Sequence, residues 1–231
     1  MDENTIVSYK LVGDKHRQWR KIYSCIAFLL LSSCARDSKD SNSSKDVMTV
    51  EKFAIKEGSK ISPNDWTCYN VQYDKICCPK KWNAIGQSKA LFLARPDTSN
   101  ENSFFVVMRH DEVVNKLTIA NYLKEVSNQL INDTTDRLTG SSVKKLVYKD
   151  REVYSAEFTT TLNKKDYFMF AMNLSLNGMI YDLTLRIPRE HSNKYYEIFQ
   201  NILYNYESNG IRLFKKGDKL LEVQEINISD M

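Results

Sequence analysis

Hydrophobic and polar residues alternate in short segments from about residue 65 onward, most clearly over 179–187. Successive side chains of a strand point to opposite faces, so this period of two predicts β-strands, and over 179–187 a strand with one buried and one wetter face. Asn177-Gly178 tolerates the positive φ angles of a type I′ turn and predicts a tight hairpin. The predicted strands are 67–72, 75–78, 90–95, 103–109, 143–149, 152–161, 166–176 and 179–187.

Two further segments have the three- and four-residue spacing of apolar positions that is typical of amphipathic helices. One covers 118–135 with Thr118 as its N-cap, and the other covers 192–206 and stops before Asn209-Gly210. The apolar stripes are Ile119, Tyr122, Leu123, Val126 and Leu130, then Tyr195, Ile198, Phe199, Ile202 and Leu203. Together the elements predict an α+β fold in which two amphipathic helices cover an antiparallel β-sheet.

The N-terminal segment has the organisation of a signal peptide. Basic residues within 16–21 precede an apolar run at 22–31, and small residues follow. The run has ten residues, whereas a membrane-spanning helix needs about 20, so a permanent transmembrane anchor is not expected. Apolar residues surround the run on every side, unlike the one-sided stripe of a helix in a folded domain.

Leu31-Ser32-Ser33-Cys34 resembles the lipobox of bacterial lipoproteins, in which an aliphatic and two small residues precede an invariant cysteine. The resemblance implies that signal peptidase II removes residues 1–33 and that Cys34 is the lipid attachment site, with a diacylglycerol on its thiol and an acyl chain such as palmitate on its amine. Two or three chains anchor a protein durably. We therefore expect an extracytoplasmic domain in the bacterial cell envelope, on the outer rather than the inner membrane, with periplasmic and surface-facing display both open.

The chain divides into four predicted regions. After the leader at 1–33, the segment 34–64 is predicted to be a flexible tether, because its first part is polar and has almost nothing apolar to bury. The folded domain is predicted over 65–208. Residues 209–231 are predicted to be a C-terminal extension, in which candidate strands at 211–214 and 220–223 are compatible with a hairpin.

The order of hairpin, proline-tryptophan motif, strands, helix, meander and closing helix resembles the PsbP/Mog1-like fold, including the DcrB-like bacterial lipoproteins. The resemblance covers roughly 65–208. It implies an antiparallel sheet sandwiched by helices, which usually serves as an adaptor or assembly factor and not as an enzyme. The residues that carry it are Tyr69, Tyr73, Ile76, Pro79-Lys80-Lys81-Trp82, Tyr181-Asp182-Leu183, Phe199 and Ile202.

Composition and charge narrow the range of functions. The formal charge is +4, and it becomes +2 once the leader is removed, because the leader holds five of 33 Lys/Arg and three of 29 Asp/Glu, leaving 28 − 26. Basic residues are interspersed with acidic ones, so no nucleic acid is expected as a partner. Lys215, Lys216 and Lys219 are compatible with contact to anionic lipid, although solubility charges are the favoured interpretation.

Catalytic and metal-binding interpretations find little support in the sequence. The only histidines are His16, His110 and His191, and the first is lost with the leader. His110 and Asp111 are neighbours that point to opposite sides in an extended segment, so we interpret them as a solvated loop pair. His191 is interpreted as a polar residue at the entry to a helix. The acidic residues interpreted as solvated caps and turns are Asp133, Asp136, Asp150 and Glu152.

Three cysteines remain in the predicted mature domain once Cys25 is removed and Cys34 carries lipid: Cys68, Cys77 and Cys78. Two interpretations stay open, three buried free thiols or one disulfide with one free thiol. If a disulfide forms, the loop length of the first hairpin selects the partner. A three-residue loop ending at Asp74 pairs Cys68 with Cys78, and we prefer it because Asp tolerates the left-handed conformation; a two-residue loop selects Cys77.

The sequence therefore favours a membrane-anchored, non-catalytic binding or assembly module that needs no cofactor or metal. Its expected partners are the lipid bilayer, through acylated Cys34, and an envelope protein. The alternatives are a ligand-binding or hydrolytic lipoprotein with a pocket between sheet and helix, and an inhibitor or immunity-type protein. A deep pocket that contains His110 or several carboxylates would favour the enzyme, whereas an exposed aromatic strip or sheet edge would favour partner binding.

The lipobox-like tetrapeptide leads to a direct test. Cys34→Ala removes the thiol that accepts the diacylglycerol, so we expect loss of fatty-acid incorporation and accumulation of precursor or soluble protein. Metabolic labelling with a fatty acid measures this. Unchanged incorporation in the variant would show that the lipid is attached elsewhere or not at all.

Overall fold

The alternating segments form strands throughout the part of the chain that the computed structural model describes, which is 62, 64–85, 90–98, 100–132, 135–215 and 217–227. The predicted leader, Cys34 and almost all of the predicted tether lie outside these residues. The strands are β1 Trp66–Val71, β2 Asp74–Pro79, β3 Asn83–Ala84, β4 Phe92–Arg95, β5 Phe104–Asp111, β6 Arg137–Tyr148, β7 Glu152–Leu162, β8 Lys165–Leu176, β9 Met179–Pro188, β10 Glu207–Ser208, β11 Ile211–Arg212 and β12 Leu220–Ile226. The helices are α1 Ile119–Ile131 and α2 Ser192–Asn205, the latter preceded by a 3-10 turn at Arg189–His191.

The strands form two antiparallel sheets. The larger has the order β12-β6-β7-β8-β9-β5-β4-β3, and the smaller has the order β1-β2-β10-β11. Strands β6 to β9 form a meander of long hairpins. The turn between β8 and β9 holds Asn177 and Gly178 at φ angles of 53° and 75°, which confirms the predicted tight hairpin. The chain is an α+β protein.

Helix α2 and the smaller sheet lie on one face of the large sheet and enclose the main core. The apolar row of β9 packs there against the stripe of α2, and Phe199, Ile202 and Leu203 are at most 2% exposed. Trp82 of the proline-tryptophan motif is also buried, with its ring 6.1 Å from that of Tyr195. This layer therefore accounts for most of the hydrophobic burial.

Helix α1 lies on the opposite face and buries a shorter stripe. Its N-cap is Thr118, whose hydroxyl accepts a hydrogen bond of 3.2 Å from the Asn121 backbone N–H, as the sequence predicted. Tyr122 and Leu123 pack there with Tyr154 and Ile180. The helix ends at Ile131, earlier than predicted.

The preferred pairing of Cys68 with Cys78 is wrong, because the first hairpin has a two-residue turn. Cys68 lies opposite Cys77, and these two residues form the disulfide. The left-handed residue of the turn is Gln72, with φ 55°. Asp74 instead begins β2, where its buried carboxylate binds the guanidinium of Arg109. Cys78 is the free, buried cysteine.

The hairpin considered for the C-terminal segment does not form. The strand β11 pairs with β10 in the small sheet, whereas β12 pairs with β6 at the edge of the large sheet. Leu213 and Phe214, between these strands, are at most 2% exposed, and Asp218 accepts a hydrogen bond of 2.5 Å from Arg151. The described residues after 208 therefore contribute strands to both sheets and do not form an extension beside the domain.

The buried stripe of α2 predicts a large effect of Phe199→Ala. The ring is 2% exposed and lies 6.2 Å from the ring of Phe170, so its removal leaves a cavity and should lower the free energy of unfolding by about 3–5 kcal/mol. Urea denaturation measures this. Val113→Ala is the control, since Val113 is 81% exposed and should change stability by less than about 0.5 kcal/mol. Equal effects of the two substitutions would contradict the packing.

The disulfide register predicts the result of peptide mapping. Non-reducing digestion should give a Cys68–Cys77 linkage, and iodoacetamide should label Cys78 only after unfolding, because burial raises the pKa of the Cys78 thiol to about 12 and the thiolate is the reactive form. A Cys68–Cys78 linkage, or fast labelling of Cys78 in the native protein, would contradict this register.

Candidate functional site

Four large apolar side chains are exposed on neighbouring segments, which are the β1–β2 turn, the loop after β5 and the first residue of β11. Their exposed fractions are 71% for Tyr73, 81% for Val113, 77% for Val114 and 42% for Ile211. We name these four residues the apolar end. A single exposed apolar residue is ordinary, whereas a contiguous exposed apolar patch is typical of a binding surface.

Hydrogen bonds hold the segments of the apolar end together. The Arg109 guanidinium donates to the side chain of Gln72 and so joins β5 to the β1–β2 turn. The Asn209 backbone N–H donates to the Tyr73 carbonyl over 2.8 Å and joins this turn to the β10–β11 turn. Strand β5 continues from Arg109 directly into the loop that carries the two valines. The four side chains therefore have a common, supported base.

The loop after β5 is ordered by Asp111. One carboxylate oxygen of this residue accepts hydrogen bonds from the backbone N–H groups of Val113 and Val114, over 2.9 and 2.8 Å. The Asn115 backbone N–H bonds to the Asp111 carbonyl over 3.1 Å. These bonds satisfy the backbone of the turn locally, and the two valines are left facing solvent.

His110 and Asp111 point to opposite sides of β5, but the interpretation of His110 as a solvated loop residue is wrong. His110 is a half-buried strand residue opposite Ile180 of β9. Its ring lies 5.0 Å from that of Tyr122 on α1. Its Nε2 is buried, and no residue that the structure describes forms a hydrogen bond with it.

A diagonal neighbour of His110 on β9 is a buried carboxylate. Asp182 is 9% exposed and accepts hydrogen bonds from the phenol of Tyr122 and, over 2.8 Å, from the hydroxyl of Thr184. We name His110, Tyr122, Asp182 and Thr184 the polar cluster. It lies between the sheet and α1, at the point where α1 begins.

Burial shifts the pKa values of two groups of the polar cluster, His110 and Asp182. The pKa of Asp182 is raised by burial, against the hydrogen bonds of Tyr122 and Thr184 and the charge of His110. The pKa of His110 is lowered by burial, against the charges of Asp182 and Glu125. The pKa of His110 is therefore lowered and the pKa of Asp182 is raised, so the uncharged form of each group is favoured.

A second buried polar contact lies further along β9. Both side chains of the Arg186–Asp136 ion pair are fully buried, and the guanidinium lies 4.3 Å from the centre of the Tyr167 ring. The interpretation of Asp136 as a solvated residue is therefore wrong. The face of β9 predicted to be wetter is also buried, since Arg186, Asp182 and Thr184 are at most 9% exposed.

The other sequence candidates do not converge on a site. His191 is exposed beside α2, Asp150 binds Arg151 at 2.8 Å, and Glu152 binds Lys145 at 2.6 Å. Asp133, Lys216 and Cys34 lie outside the described residues. Among the residues that are described, no group of three His, Cys, Asp or Glu side chains is placed to bind a metal ion. Nor is any helix in that part of the chain long and apolar enough to cross a membrane.

Sequence reasoning missed the polar cluster and the apolar end for different reasons. The polar cluster joins residues from β5, α1 and β9, whose adjacency depends on the strand order. The signal for the apolar end was present, because Val113 and Val114 are adjacent apolar residues between the end of a strand and a helix N-cap. In a loop, such a pair has no hydrophobic core to pack against.

No protein-family model and no curated protein sequence matches this chain. Among solved structures, it is similar to cyanobacterial PsbP (CyanoP) from Synechocystis sp. PCC 6803, with a TM-score of 0.46 and 10% identity over 65% of this chain and 96% of that chain. It is also similar to LpqN, involved in cell envelope biogenesis of Mycobacterium tuberculosis, with a TM-score of 0.42 and 11% identity over 61% of this chain and 88% of that chain. A structure from Bacteroides thetaiotaomicron VPI-5482 has a TM-score of 0.40 and 13% identity over 71% of this chain and 51% of that chain.

Proposed function

We propose that this chain is a lipid-anchored extracytoplasmic protein of the cell envelope, whose domain binds another envelope protein through the apolar end and carries out no catalysis. The proposed anchor is acylated Cys34, and the proposed membrane is the outer one. The fold we propose is PsbP/Mog1-like. Burial of Trp82 against Phe105 and Tyr195, two residues of the main core, supports this assignment, because it gives the proline-tryptophan motif a structural role.

The exposed apolar end is the observation that carries this proposal. Interfaces between proteins have an apolar centre with a polar rim, and tyrosine is enriched in them. Charges of both signs surround the two valines, with Asp111 and Glu112 before them and Lys116 after them. Acidic residues next to the apolar tip disfavour contact with anionic lipid headgroups. A protein surface with mixed charges is the better complement.

The Cys68–Cys77 disulfide supports the extracytoplasmic location. Disulfides persist in oxidising compartments and are rare in the cytosol. This one joins the adjacent strands β1 and β2. It agrees with the export signal that the leader resembles.

The polar cluster supports a non-catalytic domain. A general acid or base must reach the proton of a substrate within hydrogen-bond distance. Both carboxylate oxygens of Asp182 already accept hydrogen bonds from Tyr122 and Thr184. Asp182 is also 9% exposed beneath α1, so the carboxylate is engaged within the fold.

Site-specific photo-crosslinking tests the proposed function. A photoreactive amino acid at position 113 of the lipidated protein should form an adduct with one discrete envelope protein. At position 193, on the exposed start of α2 at the other end of the sheet, it should not. Adding Val114→Asp should reduce the adduct at least about tenfold, which corresponds to about 1.4 kcal/mol, with the urea midpoint unchanged.

Two results would contradict the proposal. One is that position 113 forms adducts only with lipid, and the other is that adducts at positions 113 and 193 are the same. Retention of the adduct in the Val114→Asp protein would likewise show that the apolar end is not the contact.

A further inference from the structure

We propose that the polar cluster is a proton-operated switch that releases the start of α1 from the sheet in acidic surroundings and thereby reshapes the apolar end. This inference rests on the proposed function, since it assigns a form of regulation to the same surface. The switch itself is a property of the isolated protein and can be measured without the partner.

The connection between the polar cluster and the apolar end is direct in the chain. The loop 112–118 begins two residues after His110 and ends four residues before Tyr122. These two side chains lie against each other, with ring centres 5.0 Å apart. Contact between the rings therefore holds both ends of the loop that presents Val113 and Val114. Separation of the rings frees the end of the loop at α1, whereas the end at β5 stays paired with β9.

Apolar side chains, Leu117 before the helix among them, fasten the start of α1 to the sheet. Tyr122 and Leu123 are its buried apolar side chains there, while Ile119 and Val126 are only partly buried. Tyr122 also supplies the hydrogen bond to Asp182. A change in the polar cluster therefore acts on one of the two buried apolar residues that dock the start of this helix.

The charged and titratable groups around His110 come from several elements. Asp182 faces it from β9, and Tyr122 and Glu125 face it from α1. The row across the sheet continues from Asp182 to Asn173 on β8. Beyond these strands, Tyr154 on β7 and Lys145 on β6 complete the row, and Lys145 is held by its ion pair with Glu152.

When His110 is protonated, its Nε2–H has no hydrogen-bond acceptor in place among the described residues. The buried Nε2 forms no hydrogen bond with any described residue, and the carboxylate of Asp182 is held in place by the hydroxyl groups of Tyr122 and Thr184. A charged imidazolium in this position needs water, which can reach it when the ring of Tyr122 moves away. Release of the start of α1 is therefore the way in which the protein accommodates the proton.

The direction of the pH dependence follows from the pKa of His110, which burial lowers in the docked state. The docked state then binds the proton more weakly than the released state, whose histidine has an ordinary pKa of about 6.5. Docking is complete above that value and weakens as the pH falls below it. Asp182 acts in the opposite direction, because burial raises its pKa even against the hydrogen bonds of Tyr122 and Thr184, and the switch requires that the effect of His110 exceed that of Asp182.

Hydrogen exchange of the intact lipidated protein in detergent tests the switch. After correction for intrinsic rates, protection of the 119–126 amides should fall severalfold between pH 7.5 and pH 5.5, up to about tenfold for each unit by which the pKa of His110 is lowered. The amides of β8 and β9 should keep their protection and serve as the internal reference. His110→Gln should abolish the change, and His191→Gln, at an exposed position, should leave it intact.

Equal protection of 119–126 at the two pH values would overturn the proposal, and so would a fall that persists in the His110→Gln protein. If that variant does not fold, the NMR titration of the His110 ring in the unmodified protein decides. A midpoint below about 6.5 together with shifts of the Tyr122 ring signals supports the switch, and a midpoint at or above this value overturns it. Because these readouts need no partner, their failure leaves the crosslinking result from position 113 untouched.

Discussion

Strand β9 must bury both of its faces, and the other layers of the domain are arranged around that requirement. It lies between β8 and β5 inside the eight-stranded sheet. Its apolar row meets α2 and the main core, whereas its polar row, which includes Asp182, Thr184 and Arg186, lies on the side of α1. Burying polar groups is costly unless each has a partner. The partners are Tyr122 from α1 and Asp136 from the segment before β6, so the polar row determines how the chain crosses this face.

The period of the hydrophobic pattern was sufficient to identify the long elements and the α+β class. Strands β7 to β9 and helix α2 begin and end close to the predicted residues, and α1 begins after its predicted N-cap Thr118, because each has a strong local signal such as Asn177-Gly178 or Thr118. Strand β6 begins earlier than predicted, at Arg137, and α1 ends earlier. What the pattern does not contain is which strands become neighbours. The burial of Asp136 and the pairing of β12 with β6 depend on contacts between distant segments. A polar row on a strand is the same in sequence whether water or a helix covers it.

The register of the first hairpin shows a different limit. The sequence favours Asp74 for the left-handed position of the turn, because aspartate tolerates that conformation. In the folded protein the buried carboxylate of Asp74 binds Arg109, and the less usual Gln72 takes the positive φ angle. Tertiary electrostatics thus overrode a local preference. One residue of difference in the loop was enough to exchange the roles of Cys77 and Cys78.

The adjacency of Cys77 and Cys78 has a consequence for oxidative maturation. In an unfolded chain these two thiols are chemically almost equivalent competitors for Cys68. Once β2 is formed, its alternation separates them, because one sulfur lies opposite Cys68 and the other is enclosed in the core as a thiol that resists ionisation. A bond between Cys68 and Cys78 is therefore incompatible with this register, because it would withdraw from the core the sulfur that Cys78 places there.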